Sequence, residues 1–326
     1  MSRPTVRSIT LPALLAALIL VLTACSSSSG TGASGDTLTV QATNGQIQVP
    51  RNPTRVVLLD NTAAETVQAM GVTPVAVPKG LLAKSKFADW IDDPDIADVG
   101  SHNEPKMEVI EDADPDLIIA GYRFAKYTDD LTKITDQTGG ATLDIAASDD
   151  APGGRQEALL RQTTTLGEIF GKQQQAEQIN ATFTKQLDAA KAASHGQTVF
   201  LSIVSGGKID NGAKRLGPFV APLDLKDVFA GKAGDHHQNS GLTPEAIAQA
   251  NPQWVIVMDR DAAVTSGGDR PTPAASVFAA QEAFAGTEFM RNDHVIYLDP
   301  EFYVREGIQS YGQSYQQIAD ALGDAA

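Results

Sequence analysis

Glu108-Val-Ile110-Glu-Asp-Ala113-Asp-Pro115-Asp-Leu-Ile118-Ile119-Ala-Gly-Tyr-Arg123 and Glu245-Ala-Ile247-Ala-Gln-Ala250-Asn-Pro252-Gln-Trp-Val255-Ile256-Val-Met-Asp-Arg260 carry one pattern twice, 137 positions apart. Glu, Ile, Ala, Pro, two aliphatic residues and Arg recur at identical spacing. Each copy reads as a short helix opened by an acid, a break at proline, an apolar strand (Leu117 to Ala120; Trp254 to Met258) and a cation just past the strand's C-terminal end. Two α/β lobes of like construction follow. Open α/β sheets bind ligands outside the carboxyl ends of their strands, so Arg123 and Arg260 are expected to face one crevice between the lobes. The crevice should hold an anion.

The N-terminus carries Arg3 and Arg7, an apolar run from Ile9 to Leu22, and then Leu22-Thr-Ala-Cys25. The run is short for a membrane span and ends in small residues, as in a secretory signal with a lipobox. Cys25 is the single cysteine of the chain, which precludes an internal disulfide. Its position fits diacylglyceryl attachment followed by cleavage before it. Ser26 to Gly35 is almost entirely Ser, Gly, Ala and Thr, the composition of a flexible tether. Removing residues 1–24 takes away two of the 25 basic residues and none of the 40 acidic ones, leaving a net charge of −17. Such a chain is not expected to bind nucleic acid or to adhere electrostatically to anionic lipid, so the covalent anchor has to hold it at the membrane.

Strand and helix signals alternate along the rest, which predicts parallel sheets. Arg55 to Asp60 is an apolar strand ending in the turn-prone Asp60-Asn61, with Thr62 as the expected cap of a helix reaching Gly71. Val72 to Val77 reads as a second strand, broken by Pro74. From Gln156 to about Ala193 only Gly167 and Gly171 weaken a helical pattern. The stretch is either one helix spanning on the order of 50 Å or two helices bent at Gly171. In both cases the connector is stiff, and limited lobe closure is expected. The second lobe begins with the strand Thr198 to Val204 and the turn Ser205-Gly-Gly207. A polar loop with Lys214 and Arg215, a loop from Gly234 to Gly241 and the second repeat come next. Val295 to Pro300 is the last strand, Ser310 to Leu322 a terminal helix, and Tyr303 and Arg305 are expected in the loop between them.

This order of features resembles the ferric-siderophore substrate-binding lipoproteins of ABC importers, periplasmic binding proteins with a helical backbone between the lobes. The matching passages are Arg55-Val-Val-Leu-Leu-Asp60, Glu65 to Val77, Val99-Gly100, Glu108 to Ile119, Val257-Met-Asp-Arg260 and Tyr297-Leu-Asp-Pro-Glu301. They spread over residues 45–322, essentially the whole mature domain. The resemblance implies two Rossmann-like lobes with central parallel sheets joined by a long rigid α-helix, with the ligand cleft between them. The expected division is 1–24 signal peptide, 25–36 tether, 37–153 first lobe, 154–195 connecting helix and 196–326 second lobe.

Within that group the chain is most similar to catecholate binders, through Gly121-Tyr-Arg123 with Lys126 and Tyr127, Lys214-Arg-Leu-Gly217, Asp259-Arg260 and Asp299-Pro-Glu-Phe-Tyr303. The resemblance implies that Arg123, Arg215 and Arg260 surround an anionic Fe(III)-siderophore complex, which is cargo and not a cofactor. Guanidinium groups suit this role, since they stay charged, donate in a planar fork and stack on aromatic rings. Pairing with local carboxylates, such as Asp259 or Asp261 for Arg260, is the competing explanation. Lys126, Tyr303 and Asn61 complete the ligand-binding candidates. Some relatives finish the iron's coordination with a histidine and a tyrosine. The corresponding candidates here are His236 or His237 with Tyr303, although the tyrosine aligns one position off, at Val304. Glu108 and Glu245 match the glutamates that dock such proteins on the two permease subunits; helix N-terminal acids favoured by the macrodipole are the plainer reading.

The expected activity is therefore capture and delivery by a monomer anchored outside the cytoplasmic membrane, with no catalysis. An enzyme needs a nucleophile, a base and an oxyanion hole, and no nucleophile motif such as Gly-x-Ser-x-Gly occurs. Divalent-metal uptake needs several histidines converging from both lobes, and His195 and His294 are placed away from the strand C-termini. A hydroxamate siderophore, haem and cobalamin remain alternative ligands. Haem calls for a Tyr or His axial ligand with fewer arginines, and cobalamin for a more neutral, aromatic cleft.

Overall fold

In a computed structural model, whose described residues are 36–232, 234, 240–264 and 271–324, the two repeats each supply an interior strand to one of two separate sheets. An antiparallel hairpin, β1 (Thr37–Ala42) and β2 (Gly45–Pro50), precedes the first lobe. β3 (Val56–Leu58) leads through α1 (Asn61–Ala69) to β4 (Ala76–Val77), then through α2 (Lys84–Ile91) to β5 (Ala97–Asp98). A small hairpin, β6 (Gly100–Ser101) and β7 (Glu104–Pro105), is followed by α3 (Met107–Asp112), β8 (Leu117–Ala120), α4 (Thr128–Thr138) and β9 (Ala141–Asp144). The sheet runs β5-β4-β3-β8-β9 with every pairing parallel.

β3, β4 and β8 are apolar without interruption because both faces of the sheet are covered. Val56, Leu58, Leu117 and Ile119 belong to one apolar cluster, and Val57, Leu59, Ile118 and Ala120 to another on the opposite face. The cap of α1 differs from expectation. The cap is Asp60 and not Thr62: the Asp60 carboxylate accepts the Thr62 N–H at 2.9 Å, and Thr62 is already helical. The second strand is broken at Pro74, which carries no N–H to pair, and only Ala76–Val77 remains in the sheet.

The connector is two helices, α5 (Gly154–Ile169) and α6 (Gln173–Ala193). Gly171 sits between them at φ +63°, a left-handed backbone that ends a helix at little cost for glycine. The Asn180 amide donates to the Leu160 carbonyl at 3.2 Å and the Thr164 hydroxyl at 3.0 Å, so α6 folds back along α5. The single long helix is thus corrected to an antiparallel pair, and α6 spans about 30 Å at 1.5 Å per residue.

The second lobe comprises β10 (Gln197–Ser205), β11 (Lys208–Asn211), α7 (Ala213–Val220), β12 (Leu225–Asp227), α8 (Pro244–Ala250), β13 (Trp254–Asp259), α9 (Arg260–Ala263), α10 (Ala274–Ala279), α11 (Glu288–Arg291), β14 (Val295–Tyr297), α12 (Phe302–Arg305) and α13 (Ile308–Asp324). Its sheet runs β11-β10-β13-β14, with β12 beside the first residues of β10. All pairings are parallel except the β10–β11 hairpin around Gly206-Gly207. Arg215, expected in a loop, lies in α7. That helix accommodates Pro218 because Leu216, Phe219 and Val220 bury its other face.

One apolar cluster joins both lobes. Val56 and Leu58 of the first sheet and Val199, Leu201 and Ile256 of the second share it with Leu159 of α5, Phe183 of α6 and Tyr311 and Tyr315 of α13. The lobes are two sheets on a common helical core, and moving one against the other would expose it.

Candidate functional site

The C-terminal ends of β8 and β13 deliver the two repeat arginines to a cleft of about 890 Å³ between the lobes. After β8, Gly121 adopts φ +111°, and a side chain there would collide with the Asp144 carboxylate. A 3₁₀ turn, Tyr122–Tyr127, then presents Tyr122 and Arg123. After β13, Asp259 caps α9 by accepting the Ala262 N–H at 3.0 Å, which makes Arg260 the first helical residue. Arg215 reaches the same cleft from α7.

The three arginines surround one ring. The guanidinium carbons of Arg123, Arg215 and Arg260 stand 5.4, 5.0 and 5.6 Å from the centroid of Tyr303. Tyr303, expected in a loop, is buried in α12, with its aromatic face available to cations. The proposed carboxylate partners of Arg260 are committed elsewhere. Asp259 also accepts the Ala274 N–H at 2.9 Å, and Asp261 accepts the Gly206 and Gly207 N–H groups at 2.8 Å each. Among the described residues no carboxylate reaches ion-pair distance of Arg260; its Nη1 contacts the Ser205 hydroxyl at 3.4 Å, and its buried Nε has no partner.

Arg123 and Arg215 share a residue that sequence reasoning missed. Glu306, only 4% exposed, sits at φ +46° between α12 and α13. Its Oε1 lies 3.3 Å from Arg215 Nη1 and its Oε2 lies 3.7 Å from Arg123 Nη2. The Tyr122 hydroxyl donates to Oε2 at 2.7 Å. Burial, reinforced by the Glu306 charge, pushes the Tyr122 phenol up to about 12, so it stays a neutral donor. A fourth guanidinium, Arg155 of α5, was also missed. It is buried in the cleft wall, pairs with Asp149 at 2.5 Å, and lies 5.2 Å from the Tyr122 ring. A signal for it exists, because Arg155 interrupts the buried helical stripe of Leu159, Gln162 and Leu166.

Not every candidate reaches the cleft. The Asn61 amide donates to the Val304 carbonyl at 2.9 Å and does not line the cavity; it ties α1 to α12. Lys126 is exposed, outside the lining, and stacks on Tyr127 at 4.8 Å. Cys25, His236 and His237 lie outside the described residues. His102 does line the cleft, where burial, together with Arg123 and Lys126, lowers its pKa and favours neutral imidazole. His294 stacks on Trp254 at 4.0 Å, at the N-terminal end of β13 and away from the cleft. Among the described residues no three His, Cys, Asp or Glu side chains converge as a metal site. Glu108 and Glu245 are exposed in the first turns of α3 and α8.

The petrobactin-binding protein YclQ of Bacillus subtilis (strain 168) is 28% identical over 325 residues, covering 93% of this chain and 95% of the relative. The ferric-anguibactin-binding protein FatB of Vibrio anguillarum is 24% identical, covering 79% and 78%. The crystal structure of the periplasmic catecholate-siderophore binding protein VctP of Vibrio cholerae is similar with a TM-score of 0.73 and 25% identity, over 89% of this chain and all of that one. The sequence model described as periplasmic binding protein matches residues 56–302, a range that contains both five-stranded sheets and all four arginines that line the cleft. The chain belongs to the periplasmic binding protein family.

Proposed function

We propose that this protein is the substrate-binding component of an iron-siderophore ABC importer and that it takes an anionic ferric catecholate-type complex in the cleft. The observation that carries this reading is the set of three guanidinium groups from both lobes around Tyr303, one of them without a carboxylate among the described residues. Catecholate oxygens accept charge-assisted hydrogen bonds from such forks, and catechol rings stack against guanidinium planes. The names of the petrobactin-, anguibactin- and catecholate-siderophore-binding relatives agree with that chemistry. Iron is the cargo, and the cleft's task is recognition and release, not bond-making.

Lipid on Cys25 holds the mature chain at the outer face of the cytoplasmic membrane, as a monomer. Glu108 and Glu245, one on each lobe, dock it on the permease subunits, and their exposure leaves them available for this. Titration with ferric catecholate, ferric hydroxamate, haem and zinc tests the ligand class. Selective tight binding of the ferric catecholate supports the reading; preference for haem or zinc overturns it.

A further inference from the structure

Four guanidinium groups, those of Arg123, Arg155, Arg215 and Arg260, face the cleft, and among the described residues two carboxylates balance them at ion-pair distance, Asp149 and Glu306. Asp149 serves Arg155 alone. Glu306 holds Arg123 and Arg215, which come from opposite lobes, and both contacts are longer than a close charge-assisted bond of about 2.8 Å. These two forks therefore keep donor capacity for another anion. Arg155, whose Nε pairs with Asp149 at 2.5 Å, is held far more tightly.

We propose that Glu306 is the resident counter-anion of the cleft and sets how strongly it prefers highly charged complexes over neutral ones. This rests on reading the cleft as a siderophore site. An incoming anion meets Arg260 without competition from any carboxylate of the described residues and must share Arg123 and Arg215 with Glu306. The buried carboxylate moderates the hold on a trianion, because its repulsion acts in a partly desolvated site, while a neutral complex is nearly indifferent to it. The consequence is a ligand that binds through charge yet can be surrendered to a permease.

The test compares affinities for trianionic iron(III) tris-catecholate and neutral iron(III) tris-hydroxamate in the wild-type protein and in Glu306→Gln. The ratio of the two dissociation constants reads the charge preference and cancels a uniform structural loss. Removing the charge is expected to shift that ratio about tenfold further toward the tris-catecholate. An unchanged or reversed ratio overturns the proposal and leaves Glu306 a structural link. Wild-type protein that binds neither complex overturns the siderophore reading itself, and this inference with it. Should the Gln variant fail to fold, Glu306→Asn, whose residue tolerates the left-handed backbone, provides the same ratio.

Discussion

Arg305 and Glu65 meet across the lobe interface, with Arg305 Nη2 at 2.5 Å and Nε at 3.0 Å from the same carboxylate oxygen, Glu65 Oε1. The side chains are 7% and 1% exposed. The other Glu65 oxygen accepts the Ser310 N–H at 3.1 Å, so one acid of α1 ties down both α12 and the start of α13. Removing one partner leaves the other charge buried, Glu65 without its cation or Arg305 with only the longer 3.5 Å contact to the half-exposed Asp299. Arg305→Ala or Glu65→Gln is therefore expected to destabilise the protein by about 3–5 kcal/mol in denaturant unfolding. A loss within the error of the measurement would mean the pair is not desolvated.

The same contact, with the shared apolar core, limits domain motion. Small-angle scattering should show a radius of gyration that changes by less than about 1 Å on ligand saturation. A larger contraction would show that the lobes hinge freely despite α6 and α13.

Asp60 makes stability depend on pH. Burial, opposed by the Thr62 hydrogen bonds, raises its pKa from 3.8 to about 7. The folded state then holds a proton that the unfolded chain releases near pH 3.8, so this contribution is complete below that value and is lost as pH rises through about 7. The full shift corresponds to on the order of 4 kcal/mol. Asp60→Asn keeps a capping oxygen and imitates the protonated acid. It is expected to match wild type at pH 4 and to exceed it by about 2–4 kcal/mol at pH 8.5. Equal stability of the two proteins at both pH values would remove the assignment.

Glu108→Arg and Glu245→Arg should leave ligand affinity unchanged and lower uptake of the iron complex by whole cells by about tenfold or more. The two measurements together separate docking from binding, and full uptake by both variants would return these acids to the plain helix-terminal role.

The repeat was readable because everything it encodes is local. A helix, a proline break, a strand and the arginine after it fall within sixteen residues, and β8 appears with the bounds its apolar run implied. The parallel pairing within the sheets follows from the alternation of elements. What escaped reading depends on distant partners. Glu306 belongs to neither apolar stripe and gains meaning only when Tyr122, Arg123 and Arg215, some 90 to 180 positions earlier, fold against it. The break at Gly171 was legible as an alternative, but that α6 returns along α5 depends on packing that periodicity does not specify. Arg215 looked like a loop residue because Gly217 and Pro218 argue against a helix, and the burial of Leu216 and Phe219 outweighs them.

The central claim is that unpaired cationic capacity in the cleft binds the ligand, and Arg260 tests it most directly, since no described carboxylate has to be left unpaired when it is removed. Quenching of the fluorescence of Trp90 and Trp254 by an iron(III) tris-catecholate should be measured for wild type and Arg260→Ala. A loss of affinity of about tenfold to a hundredfold, with an unchanged unfolding transition, is the predicted result. Equal affinity in the variant would contradict the account.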